Sequence, residues 1–87
     1  MSFVEIRDHA LWAKHIFDNE PLKSKIVALK AGDFIELEVN GYRGMWQKMD
    51  DGSDGRPTLG IKALGSARER WHDLQSKRGT QVSIKIA

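Results

Sequence analysis

The chain has no cysteine among its 87 residues. That absence excludes disulfides, thiolate catalysis, iron–sulfur clusters and cysteine-ligated zinc together. It also lacks any apolar run near the roughly 18 residues that a membrane-spanning helix needs. The longest stretches, such as Ile26-Val27-Ala28-Leu29, are interrupted by lysine or acid within a few positions. Residues Met1 to Arg7 show neither the basic start nor the greasy middle of a secretory leader, so cytoplasmic residence is the expectation. No internal repeat or low-complexity segment is present.

Phosphate-loop and nucleophile-elbow chemistry are missing as well. Gly41, Gly44 and Gly52 fall in a hairpin and its exit, not between a parallel strand and a helix. Neither Ser53 nor Ser66 stands in a G-x-S-x-G sequence. The histidines His9, His15 and His72 have no ligand spacing, since His9 and His15 are too far apart for the three- or four-residue step of a helical metal pair. His72 beside Asp73 makes no dyad, because adjacent helical residues do not face each other. The acidic loop Asp50-Asp51-Gly52-Ser53-Asp54-Gly55 begins like a calcium loop and then fails. Aligned on Gly55, it puts Gly52 and Ile61 where an acidic ligand and a bidentate Glu are required. No catalytic residue, metal or cofactor is assigned.

What is present describes a single domain over residues 1–87. Hydrophobic residues make up 40% and charged residues 30% of the chain, too apolar for disorder. The expectation is a soluble globular domain. Net charge is +2, divided unevenly: residues 1–40 hold five Lys/Arg against seven Asp/Glu, and residues 41–87 hold nine against five. The cationic second half suits an anionic partner.

The strongest local signal is Phe34 to Val39, Asn40-Gly41, then Tyr42 to Met49. Alternation marks two strands, and Asn-Gly is the pair that best tolerates a type I′ turn. A two-residue loop sets Val39 opposite Tyr42, Glu38 opposite Arg43 as a cross-strand ion pair, Leu37 opposite Gly44 and Ile35 opposite Trp46. Earlier, Asp8 is read as the N-cap of an amphipathic helix carrying Trp12, Ala13, Ile16 and Phe17, which Pro21 ends. Ser2 to Arg7 fits either a strand or a helix start, and Lys25 to Leu29 reads as a short strand. After the polar connection Asp50 to Pro57, Thr58 to Ala63 alternates as a third hairpin-side strand. Ser66 with Glu69 has capping-box spacing, opening a helix with Ala67, Trp71 and Leu74 on one stripe and Gly79 just past its end. Val82, Ile84 and Ile86 share one face of a closing strand. The fold class is α+β: a small antiparallel sheet or partly open β-barrel of four to five strands with two amphipathic helices.

The most site-like stretch is Tyr42 to Lys62, where aromatic and cationic groups interleave. Arg43, Trp46, Lys48, Arg56 and Thr58, with Arg68 on the second helix, form the expected binding surface. In this reading Arg56 and Lys48 clamp a phosphate or carboxylate while Trp46 or Tyr42 stacks a base. Against it stands the ordinary alternative that Trp46 and Tyr42 are core, with the charges solvated. The second helix, with Arg68, Arg70, Lys77 and Arg78, is a rival basic surface.

The functional expectation is a small non-enzymatic binding module for nucleic acid or another anionic partner, and not for membrane. Two alternatives stand beside it. One is protein interaction or homodimerisation through Phe34, Met45, Met49 or an uncovered strand edge. The other is a ligand-binding protein or enzyme with a pocket between sheet and helices, lined by Trp12, Trp46 or Trp71 and addressed by His15 or Arg56.

Overall fold

The computed structural model describes residues 10–11, 13–50 and 58–87. Its elements run β1 (Ala10–Leu11), α1 (Ala13–Ile16), α2 (Glu20–Ala28), β2 (Phe34–Val39), β3 (Tyr42–Lys48), β4 (Ile61–Ala63), α3 (Ser66–Ser76) and β5 (Ile84–Ile86). The strands form one antiparallel sheet in the order β1-β4-β3-β2-β5, curled into a half-barrel. The α+β class read from the sequence is the class observed.

The central hairpin has the register that its Asn-Gly turn dictates, from Phe34 opposite Gln47 to Val39 opposite Tyr42. Asn40 and Gly41 both take positive φ, 50° and 82°, as a type I′ turn requires. Ile35, Leu37, Val39 and Trp46 are consequently buried on one face. The other face carries Phe34, Glu36, Glu38, Arg43, Met45 and Gln47. Glu38 finds its ion pair across the opposite edge: Lys85 of β5 lies directly opposite it in register, with Nζ 3.7 Å from the carboxylate. That replaces the expected pairing with Arg43.

The first third of the chain departs from expectation. Ala10 and Leu11 are not helical; they pair with Lys62 and Ile61 of β4, which otherwise would be an open edge, and Leu11 is buried against the core. Helix begins only at Ala13 and lasts one turn. The Asp8 cap, the Ser2–Arg7 alternatives and Trp12 lie outside the described residues. Pro21 does not end a helix but starts one, at a position where its missing N–H is needed by no intrahelical bond. Asn19 caps that helix, its Oδ1 accepting from the Leu22 N–H at 3.3 Å. Lys25 to Leu29 is therefore helix and its exit, not strand. Leu22 and Ile26, one turn apart, are fully buried while Val27 and Ala28 face out, a helical rather than an alternating pattern.

In the second half, β4 is shorter than the alternation from Thr58 suggests. Thr58 instead folds back, its Oγ1 accepting from the Gly60 N–H at 3.1 Å. Helix α3 is capped by Gly65 at φ 56° rather than by Ser66, whose Oγ receives a 2.7 Å hydrogen bond from the Tyr42 hydroxyl. The helix stops at Ser76, and Lys77 takes an extended conformation, so Gly79 is not its terminating residue. Trp71 packs into the core edge-on to Trp46, with ring centroids 5.5 Å apart. His15 stands edge-on to the same indole at 5.9 Å. No helix among the described residues is long and apolar enough to cross a membrane.

Candidate functional site

Among the described residues, the expected binding side chains do not converge. Trp46 is 1% exposed and Lys48 is 2% exposed, both on the inner face of β3. Neither presents a ring face or an ammonium to solvent. Alternation assigns both side chains to the inner face, where Trp71 of α3 packs edge-on to Trp46. Arg43 is exposed on the outer face, and Arg68 is exposed on α3 across the sheet from it. Thr58 is half-buried and engaged with Gly60. Arg56 lies outside the described residues, as does most of the acidic loop. Among the described residues no cluster of three His, Cys, Asp or Glu side chains is placed to hold a metal.

A different set of groups is assembled between α3 and the hairpin. A cleft of about 210 Å³ opens there, lined by Val39, Asn40, Tyr42, Trp46, Ala67, Arg70, Trp71, Asp73, Leu74 and Lys77. The buried residues Val39, Trp46, Ala67 and Trp71 form an apolar floor, and the exposed Asn40, Arg70, Asp73 and Lys77 form a polar rim. The helix reaches this position because β3 has no side chain at Gly44. A Cβ there would stand 2.5 Å from the Cβ of Ala67. With Ala67 seated on Gly44, the next helical turn brings Arg70 over Tyr42, guanidinium carbon 4.4 Å from the ring centroid. Such a stack contributes about 0.5–1 kcal/mol at an exposed site and leaves the N–H edges of the guanidinium available.

Two features define what the cleft can recognise. The indole N–H of Trp71, on the floor, is buried and has no acceptor among the described residues. The side chain of Asn40, on the rim, is already committed: its Nδ2 donates to the Gln81 carbonyl at 3.1 Å, and its Oδ1 accepts from the Ser83 N–H at 2.7 Å. Arg70 and Lys77 therefore supply the cationic donors of the rim, with Asp73 as its acid. Sequence alone names Arg70 among the basic residues of the second helix and Tyr42 as a stacking or core ring, and does not join them. The joining signal is the pair of small residues, Gly44 and Ala67, that permits close approach.

No protein-family model, curated protein or solved structure matches the chain.

Proposed function

We propose that the chain is a non-enzymatic binding module that receives the anionic group of a partner in the cleft between α3 and the hairpin. The observation that carries this reading is the Arg70 guanidinium held on the Tyr42 ring at 4.4 Å, on the rim of an apolar-floored cleft that Lys77 also lines. A stacked guanidinium is oriented before binding, and an apolar floor lowers the local dielectric, so an anion gains more there than at a solvated lysine. Binding of small carboxylates and of a mixed-sequence oligonucleotide, measured at low and high salt, tests the reading. Affinity for the anion should fall with salt and fall again in Arg70→Ala and Lys77→Ala. Loss of binding in Arg43→Ala or Arg68→Ala with no effect of Arg70→Ala overturns it and restores a nucleic-acid surface elsewhere.

A second reading is supported by the outer face of the sheet. Phe34 is 62% exposed and Met45 42% exposed, and they are diagonal neighbours across β2 and β3. An apolar pair of this kind amid Glu36, Arg43 and Lys85 suits a protein partner or a second copy.

A further inference from the structure

We infer that the ligand of the α3 cleft is a free apolar α-amino acid, with its carboxylate at Arg70 and Lys77, its ammonium at Asp73 and its side chain against the partly exposed Tyr42 and Leu74. The inference rests on the anion-binding reading of the same cleft and assigns the one rim charge that reading leaves unused. Arg70, Asp73 and Lys77 follow one another along a single side of α3 and its exit, at i, i+3 and i+7. A ligand carrying only a carboxylate would be repelled by Asp73. A zwitterion matches both signs, and the partly exposed Tyr42 and Leu74 meet its third substituent.

Size agrees with one residue. The cleft holds about 210 Å³, somewhat more than the roughly 150 Å³ of an engineered apolar cavity that accepts benzene. A single branched or aromatic side chain fits.

The surroundings also argue against longer occupants. A peptide held by strand addition needs an open sheet edge. Both strands of the hairpin are paired on both sides, β2 with β3 and β5, and β3 with β2 and β4. The Asn40 amide that would otherwise hold a peptide backbone is bonded to Gln81 and Ser83. Stacking of a nucleobase needs an open ring face, and the partly exposed ring of the cleft is Tyr42. One face of Tyr42 is already covered by Arg70.

The experiment is a two-dimensional NMR titration of the full chain with L-phenylalanine, phenylacetate, phenethylamine and N-acetyl-L-phenylalanine. L-phenylalanine should shift Tyr42, Arg70, Lys77 and the Trp71 indole N–H resonance. Each ligand lacking one charge should bind about five-fold more weakly, the factor expected of one exposed ion contact. Asp73→Asn should abolish the preference for L-phenylalanine over phenylacetate without weakening phenylacetate, and Arg70→Gln should weaken both. Both positions are exposed, so these variants keep the fold. Phenylacetate or N-acetyl-L-phenylalanine binding as tightly as L-phenylalanine overturns the amino-acid assignment while leaving an anion site in place. Absence of shifts at the cleft with every ligand overturns both.

Discussion

Gly44 of β3 and Ala67 of α3 meet so closely that a Cβ on the glycine would lie 2.5 Å from that of the alanine. Gly44 is at ordinary φ, so the requirement is space and not backbone conformation. Gly44→Ala should destabilise the fold by about 1–3 kcal/mol, the usual cost of overpacking, read as a lower urea midpoint. Because α3 must lift, the Arg70–Tyr42 stack and the cleft should open with it. Adding Ala67→Gly to Gly44→Ala should recover part of the loss, which a general β-propensity effect at residue 44 would not do.

Asn19 serves two elements with one side chain. Its Oδ1 caps α2 through Leu22, and its Nδ2 donates to the Ile84 carbonyl of β5 at 2.8 Å. Aspartate keeps the acceptor and removes the donor. Asn19→Ala should therefore cost about 1–2 kcal/mol, and Asn19→Asp about half of that. Hydrogen exchange separates the two roles: Asn19→Asp should speed exchange in β5 while leaving the first turn of α2 protected.

These two contacts mark the limit of what sequence makes legible. The register of the hairpin is readable because a two-residue Asn-Gly loop leaves one register, and alternation then assigns each face. Pro21 was read as a stop because its missing N–H suits a helix start as well as a helix end. What decides between them is the Asn19 side chain, whose second partner is 65 positions away. Lys25 to Leu29 was misassigned because a short apolar run fits either period, and only the burial of Leu22 with Ile26 selects the helix. At the site, alternation correctly put Trp46 and Lys48 on one face. Their burial required knowing that this face is packed over, at Trp46 by Trp71 of α3. Once the helix is seated at Gly44, the Arg70–Tyr42 pair follows from helical and strand spacing.

That pair can be measured directly. Arg70→Met, Tyr42→Leu and the double variant form a thermodynamic cycle, and the coupling between them should be about 0.5–1 kcal/mol. Tyr42→Phe is the control. It keeps the ring beneath the guanidinium and removes only the hydroxyl that donates to Ser66 Oγ at 2.7 Å. Its effect should be confined to stability, with ligand binding in the cleft unchanged. A coupling near zero would mean that Arg70 is not oriented by Tyr42, and the preorganisation argued for the cleft would fail.

The outer face of the sheet gives the last prediction. Phe34 and Met45 contribute little to the fold where they stand, since more than a third of each remains exposed. Replacing them with polar residues, as Phe34→Ser and Met45→Thr, should change folding stability by no more than about 0.5 kcal/mol each. Their effect should appear in association. If the face pairs with a second copy, sedimentation velocity at increasing concentration will show a dimer that both variants dissociate. High salt should leave that dimer intact, because its centre is apolar and its nearest ion pair, Glu38 with Lys85, lies within one chain. A monomer at all concentrations, with the same sedimentation coefficient in both variants, would reject self-association through this face and leave the α3 cleft as the recognition surface.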